Sequence, residues 1–312
     1  MRKGVKVTLI TVSAIIAAGI IAGAAFFCGV VSIIFTGSGL EYSLSGNSIA
    51  LIRIDGLISA SGGGTLLSGT GTSPESVINQ ISAAERDSSV KAILIRINSP
   101  GGSAAASQEM YVEVLRATKP VIVSVGDTCA SGAYYVASAS DFIIASPSSF
   151  VGSIGVITEI SNYEELYNKL GVKFIIIKQG KYKDLGDPGR EPTPEEIDLL
   201  KEQGEKVYDR FIKDVAAGRK IDEAEVREMA TGMVFLGQEA LDMKLIDGIG
   251  NYEDAIRKAA ELGGIKGIPN VIDYSVPEIW DILSGRAFIE SFRDVVLEST
   301  MISPFYGGQA IK

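Results

Sequence analysis

Histidine is absent from the 312 residues of this chain. This excludes a Ser-His-Asp triad and a Cys-His pair within one chain, as well as metal sites built on imidazole. Cysteine is almost as scarce, because the only two are Cys28, inside a long apolar run, and Cys129. We expect these two residues not to meet, so the sequence predicts no disulfide framework. Nucleophilic chemistry in this chain would need a base other than imidazole.

Basic residues are also few, with 29 lysines and arginines against 38 aspartates and glutamates. Three of the basic residues, Arg2, Lys3 and Lys6, lie at the very start, which leaves a net charge of −12 on the chain after residue 40. Such an acidic surface argues against nucleic acid as a partner, and it offers no polybasic patch for anionic lipid.

Charged residues are missing altogether between Val7 and Leu40, and the 29 residues of 7–35 are almost wholly apolar or small. That length exceeds the roughly 20 residues that span a bilayer as a helix. The alternative is a cleaved secretory signal, with "AGAA" at 22–25 as the cleavage site, but a signal core usually has only ~7–15 residues. The sequence therefore predicts a short cytoplasmic stub and a transmembrane anchor over residues 1–40. Because the positive charges precede the span, we expect the remaining chain to lie outside the cytoplasm.

Predicted strands and helices alternate after residue 40. The predicted strands are 47–58, 90–98, 120–127, 141–146, 151–157, 172–178 and 270–275. The predicted helices are 73–86, 103–117, one beginning near 131, 162–170, a long one from 193, and 222–230, 237–243 and 251–262. This order indicates one α/β domain with largely parallel strands, which we assign to residues 41–275, followed by a C-terminal tail over 276–312.

Two predicted helix starts carry strong local signals. Ser73 precedes Pro74, which is typical of an N-cap followed by a first-turn proline. Thr193 and Glu196 have the spacing of a capping box. Apolar residues then recur at helical spacing from Ile197 to Val215, so we expect a long amphipathic helix there.

Two turns, "NSPGGS" at 98–103 and "DTCASGA" at 127–133, follow predicted strands and lead into helices. Parallel α/β sheets gather functional groups at such ends, and helix N-termini offer free N–H groups to an oxyanion. Gly101 and Gly102 would let the backbone approach a substrate carbonyl, and the amide of Gly132 is a second candidate donor. The alternative is that both are only tight turns, and Ser131 lacks the G-x-S-x-G context of a nucleophile elbow.

Without histidine, Ser131 can be activated by a neutral lysine. Such a lysine needs a pKa lowered from about 10.4 toward neutrality, through burial or a nearby positive dipole. Lys178, Lys181 and Lys183 all flank one predicted strand-to-loop exit, and the residue pattern does not choose among them. Cys129 is interpreted as a buried small residue, since no histidine is present to form its thiolate.

Four motifs occur together in this chain: "NSPGG", "ASGAYYVAS", "VGSIGV" and "GKYKDLGDPGREPTPEE". In this combination and order, the chain resembles signal peptide peptidases of the SppA type over about residues 48–260. Members of that family are membrane-anchored serine peptidases with a Ser-Lys dyad. Their core is similar to the Clp protease and crotonase fold, which consists of repeated strand-strand-helix units. The resemblance implies that Ser131 is the nucleophile, that Lys183 is the general base and that Ser153 orients the lysine.

The resemblance also places the oxyanion hole at Gly101, Gly102 and Gly132, with Gly102 and the peptide after the nucleophile as the donors.

Two positions depart from the family pattern. Ala133 stands where glycine is frequent, and Asp187 stands where serine is common. A carboxylate near the base would favour its protonated form and shift the pH optimum upward.

The substrates implied by the resemblance are hydrophobic peptides such as released signal peptides, cut by a homo-oligomer in which neighbouring subunits complete the groove. It implies neither a cofactor nor a metal. We expect the C-terminal tail to occupy a neighbour's groove. Two rival functions stay open: a crotonase-like acyl-CoA enzyme, which the anchor disfavours, and a non-catalytic membrane scaffold, which the filled dyad positions disfavour.

Overall fold

The computed structural model describes residues 47–60 and 71–275. The predicted anchor over residues 1–40 and the predicted tail over 276–312 lie outside these residues. Among the helices that the structure does describe, none is both long enough and apolar enough to cross a membrane.

The strands are β1 (Ser48–Ile58), β2 (Val90–Gly102), β3 (Val121–Ala130), β4 (Phe142–Ala145), β5 (Phe150–Gly152), β6 (Val234–Leu236), β7 (Gly248–Ile249) and β8 (Asn270–Asp273). The helices are α1 (Pro74–Arg86), α2 (Ala104–Arg116), α3 (Gly132–Ala137), α4 (Glu164–Leu170), α5 (Pro194–Arg219), α6 (Glu223–Met229), α7 (Gly237–Asp242) and α8 (Tyr252–Leu262).

The two predicted caps are confirmed. The side chain of Ser73 accepts the N–H of Ser76 at the start of α1. At the start of α5, Thr193 accepts the N–H of Glu196, and the Glu196 carboxylate accepts the N–H of Thr193. Both caps satisfy amide groups that have no partner within the helix, which is why the sequence alone locates these helix starts well.

The strands form one sheet in the order β6-β5-β3-β2-β1-β8, and β4 pairs with both β3 and β7. Every pairing is parallel except that of β5 with β6. Two strands pair with different parts of β3. Residues 122–124 pair with β4, and residues 128–130 pair with β5. The mixed α/β fold with largely parallel strands is therefore confirmed.

Helices cover both faces of the sheet. Along β1, Ile49 and Leu51 point into a small cluster with the alanines of α8, whereas Ile52 and Ile54 point into the larger core with α1, α2, α3 and α5. These four side chains are almost wholly inaccessible to solvent. Burying one aliphatic side chain of this size contributes about 1.5–3 kcal/mol, so both layers stabilise the central strands.

Two central strands are longer than predicted. β2 continues through the glycine turn, because β1 pairs with it beyond a bulge and places Leu57 opposite Gly101 and Ile58 opposite Gly102. β3 continues to Ala130 because β5 pairs with its last residues. The two turns singled out in the sequence are therefore anchored in the sheet itself.

Two strand predictions were wrong. Residues 151–157 form only the short strand β5, and residues 172–178 form no strand. A strand needs a neighbour for its backbone N–H and C=O groups. Ile175 and Ile177 are 89% and 90% exposed, so this apolar sequence does not join the core of its own chain.

Candidate active site

Ser131 lies between the last residue of β3 and the first residue of α3, in a strained conformation with φ 51° and ψ −124°. Its N–H donates to the carbonyl of Gly152 at 2.8 Å, and its own carbonyl accepts the N–H of Tyr135 at 2.9 Å. Backbone of this kind costs about 1–3 kcal/mol, persists only where the surroundings fix it, and clusters at functional sites. The Ser131 side chain makes no capping hydrogen bond to α3.

The glycine turn of β2 packs directly against the Ser131 peptide. A Cβ on Gly101, whose φ is +97°, would lie 2.6 Å from the nitrogen of Gly132 and 2.9 Å from the Cβ of Ser131. Only glycine permits this approach. The N–H of Gly101 donates to Ser99 Oγ at 3.1 Å, so among the three predicted glycines the amides of Gly102 and Gly132 are the better oxyanion candidates.

Two cavities meet at Ser131. The larger has a volume of about 1090 Å³, the smaller about 660 Å³, and Gly102, Ser131 and residues 155–157 line both. The larger continues along Leu57, residues 230–232 and the first half of α5. The smaller continues along the start of α2, Tyr135 of α3 and the middle of α5. Ser131 is thus open to a groove that extends in two directions.

Ser153 lines the larger cavity together with Ser131 and also has a positive φ, of 52°. Its N–H donates to the carbonyl of Met233 at 2.8 Å, and its Oγ donates to the carbonyl of Gly232 at 3.1 Å. Because the hydroxyl proton is used in this way, the lone pairs of Oγ are left to accept a hydrogen bond from an ammonium group.

The three candidate lysines differ in their partners. Lys178 pairs with Asp184, and Lys181 pairs with Glu195 at 2.6 Å. The hydrogen bond to Glu195 raises the pKa of Lys181, which opposes a role as a neutral base. Lys183 is exposed, and within residues 47–60 and 71–275 no carboxylate lies close enough to form an ion pair with it.

Lys183 does not meet Ser131 within one copy. It lines neither cavity, and within the described part of the chain no hydrogen bond joins its ammonium to Ser131 or Ser153. We call residues 155–190 the lysine segment, and none of them is buried. The structure therefore brings together Ser131, Ser153 and the three glycines but leaves Lys183 apart.

Asp187 was expected to act on the base. Its carboxylate instead accepts the N–H of Gly189 at 2.7 Å and closes a turn. Across the described ranges it forms no ion pair with Lys183. The expected effect on the pH optimum therefore has no contact to support it within one copy.

The predicted long amphipathic helix is confirmed as α5, but its apolar stripe is not buried along its whole length. Phe211 and Val215 are buried, but Ile197 and Val207 are 38% and 41% exposed and line the cavities. The lysines that line the cavities, Lys201 and Lys206, also lie on α5 and form helical pairs with Asp198 and Glu202. Helical spacing identified an apolar stripe, but it does not reveal that the stripe turns from the core to a groove.

A polar network links α3 to α5 at the wall of the smaller cavity. The hydroxyl of Tyr135 donates to the Asp214 carboxylate, and Arg210 donates to the same oxygen at 2.7 Å. Burial, reinforced by the hydrogen bond to Asp214, raises the pKa of Tyr135, so this phenol stays protonated. The network fixes α5 relative to the helix that follows Ser131.

Cys129 is fully buried, as predicted, and burial raises the pKa of its thiol far above the ordinary value. It is therefore a packing residue and not a second nucleophile. In the ranges that the structure describes, no cluster of three acidic or cysteine side chains is suited to hold a metal ion.

Comparison with known proteins gives matches to peptidases and proteases. The model of peptidase family S49 matches residues 113–266, and the Clp protease model matches residues 69–149. The chain is 39% identical over 203 residues to a putative protease of Methanocaldococcus jannaschii, covering 64% of this chain and 65% of that protein. It is 36% identical over 220 residues to a putative signal peptide peptidase SppA of Enterococcus faecium, covering 70% and 64%.

A third relative is a putative protease of Synechocystis, 39% identical over 204 residues and covering 65% of this chain and 72% of that protein. The matched region thus spans slightly less than two thirds of the first two relatives.

Proposed function

Because the chain belongs to peptidase family S49, we propose that it is a serine endopeptidase in which Ser131 attacks the peptide carbonyl and Lys183 accepts its proton. The observation that carries this proposal is the strained Ser131 turn, open to two cavities and packed against Gly101. A groove that continues on both sides of the nucleophile suits an internal peptide bond, because the substrate chain has to extend in both directions.

The proposed reaction has two steps. Neutral Lys183 takes the proton of Ser131 Oγ while Oγ bonds to the substrate carbonyl carbon, and the amides of Gly102 and Gly132 stabilise the oxyanion. The resulting ammonium donates a hydrogen bond to Ser153 Oγ and gives its proton to the leaving amine. A water molecule, deprotonated by the same lysine, then hydrolyses the acyl-enzyme and restores Ser131.

We further propose that the lysine comes from a second copy. The lysine segment exposes Ile157, Ile175 and Ile177, each at about 90%, and residues 172–178 have a strand-like sequence without a strand. Large exposed apolar side chains in a row are typical of an interaction surface. A neighbouring copy that covers this segment would bury these side chains and bring Lys183 to the groove of its partner.

Hydrophobic peptides are the proposed substrates. The larger cavity is lined by apolar side chains of three separate parts of the chain, including Leu57, Ile157 and Leu200. The name of the Enterococcus faecium relative, a putative signal peptide peptidase, supports the same class of substrate. We propose that residues 1–40 anchor residues 41–275 to the outer face of the cell membrane, where such peptides remain after secretion. The tail over 276–312 is proposed to lie in a neighbour's groove.

A comparison of four variants tests this function. The full-length protein is assayed against a panel of hydrophobic peptides together with Ser131→Ala, Lys183→Ala, Lys201→Ala and Lys206→Ala. We expect the first two to reduce kcat by about 10³-fold or more, because each removes one partner of a catalytic unit. The other two remove cavity lysines that already have carboxylate partners, and we expect them to retain activity. Activity retained in Ser131→Ala or Lys183→Ala, or an inactive parent protein, would overturn the proposal.

A further inference from the structure

Helix α5 contains two interior glycines with opposite surroundings. A Cβ on Gly218 would lie 2.1 Å from the carbonyl oxygen of Ser138, so close packing requires glycine there. A Cβ on Gly204 would meet nothing within 4 Å, and its backbone is ordinary helix. Glycine is among the least favourable residues inside a helix. Among the residues that the structure describes, neither packing nor backbone conformation accounts for Gly204.

Gly204 lies on the helix face that forms one wall of the larger cavity. Its neighbours one turn away along this face are Leu200 and Tyr208, which line the same cavity as Ser131. Residues four apart on a helix are adjacent on its surface. The absent side chain therefore leaves a gap in the wall between Leu200 and Tyr208.

The ring of Tyr208 is held in place beside this gap. The hydroxyl of Tyr208 donates to the carbonyl of Ala230, and the guanidinium of Arg227 lies 5.8 Å from the centre of its ring. The polar end of Tyr208 is therefore satisfied away from the gap. Lys201 and Glu205, which also line the cavity, carry opposite charges, so the site has no net preference for a charged side chain.

We propose that the gap at Gly204 is a subsite of the substrate groove that admits a large apolar side chain, aromatic or branched, of a bound peptide. This inference rests on the proposed peptidase function and names a residue that sets its specificity. The gap accommodates a bulky side chain because Gly204 contributes none of its own, and Leu200 and Tyr208 provide apolar surface on either side.

The test compares Gly204→Ala and Gly204→Leu with Gln203→Leu. Gln203 is the preceding residue of α5, is exposed and lines neither cavity, so its variant controls for an added leucine on the helix. Each change is made in the full-length protein, both with Ser131 intact and in the Ser131→Ala background. The probes are fluorescent ten-residue alanine-based peptides that carry Phe at successive positions, with the all-alanine peptide as reference.

In the Ser131→Ala background, we expect Gly204→Leu to weaken binding of the Phe peptides about tenfold at one position, since filling an apolar pocket removes the contacts of the substrate side chain. Binding of the all-alanine peptide and all binding by Gln203→Leu should stay unchanged. Gly204→Ala should raise Tm by about 2 °C, because alanine favours the helix and meets no obstacle.

Three outcomes would overturn the subsite. The first is an equal loss of affinity for every peptide in Gly204→Leu, and the second is an unchanged preference of this variant for Phe. The third is that the protein binds none of the peptides. If light scattering shows that Gly204→Leu breaks an oligomer and all peptides are lost together, Gly204 serves a contact between copies instead. If the protein with Ser131 intact binds a peptide but does not cleave it, only the peptidase proposal fails. The role of Gly204 is decided separately, by the pattern of peptide binding.

Discussion

The turn that holds Ser131 and the segment that holds Lys183 are built in opposite ways. Residues 129, 130 and 132–138 are buried, and the turn is fixed by backbone hydrogen bonds and by contact with Gly101. In the lysine segment, residues 155–190, no residue is buried. Its contacts are backbone hydrogen bonds, the ring contact of Tyr167 with Phe174, and ion pairs such as that of Arg190 with Asp184. In the arrangement that we propose, one copy supplies the nucleophile side of the site, and the base side depends on contact with a second copy.

The contrast has a physical reason. A strained φ of 51° at Ser131 is stable only because the sheet on one side and α3 on the other leave the backbone no alternative. An exposed segment offers no comparable constraint. If the neighbouring copy supplies Lys183, as we propose, we expect isolated copies not to cleave peptides.

Among substitutions that leave Ser131 and Lys183 in place, the largest effect is expected from a methyl group added at Gly101. Gly101→Ala places a Cβ within 2.6 Å of the Gly132 nitrogen. We expect the free energy of unfolding to fall by about 1–3 kcal/mol, as for other overpacked positions. We also expect kcat/KM to fall by about 10²-fold, because a shift of about 1 Å in reacting groups has that effect.

Gly171→Ala in the lysine segment is the matched control. Gly171 also has a positive φ, of 71°, but a Cβ there would meet nothing within 4 Å. We expect only the local strain of a left-handed alanine, about 1–2 kcal/mol, and little change in kcat/KM. Thermal unfolding and peptide cleavage measure both quantities. An equal loss of kcat/KM in the two variants would contradict the contrast between the regions.

A smaller effect is expected from Arg190→Met. Arg190 donates to Asp184 and to Glu196 at 2.6–3.1 Å, and so ties the lysine segment to the start of α5. Its loss should lower kcat/KM by about tenfold through displacement of Lys183. Arg227→Met, which removes an exposed pair between α5 and α6, should leave the rate nearly unchanged. If the two variants have equal rates, Arg190 does not position the base.

The smallest effect is expected when the pH is lowered, as a local loss of protection from hydrogen exchange. Hydrogen bonds from Arg190 hold the pKa of both Asp184 and Glu196 at about 2, against ordinary values of 3.8 and 4.5. Because these values are lowered on folding, the stabilisation is complete above about pH 4.5 and is lost as the pH falls toward 2. Hydrogen exchange, corrected for intrinsic rates, should show residues 178–196 losing protection within this window. Unchanged protection down to pH 2 would show that these pairs do not order the segment.

Local signals explain which parts of the fold could be predicted. The caps at Ser73 and Thr193 involve residues within three positions of each other, so the sequence contains the whole interaction. The extension of β2 to Gly102 depends on pairing with β1, which is distant in sequence. Residues 172–178 have the composition of a strand but pair with no strand in the described part of the chain, and composition alone cannot predict pairing.

In the site, too, local patterns were predicted from the sequence and contacts between distant residues were not. The glycine turns and Ser131 stand out because a strand-to-helix junction with small residues is a local pattern. The choice of Lys183 over Lys178 and Lys181 came from a family resemblance, and the ion pairs of the other two lysines now give it a physical argument. The gap at Gly204 could not be predicted, because helical periodicity does not tell which glycine packs and which faces a cavity.

Complementation between inactive variants tests whether one copy supplies Ser131 and its neighbour supplies Lys183. Ser131→Ala and Lys183→Ala proteins with different affinity tags are co-expressed, and mixed assemblies are isolated by two successive affinity steps. We expect peptide cleavage to return in the mixed assemblies, because some grooves then combine an intact serine with an intact lysine. Mixed assemblies that form but stay inactive would contradict it.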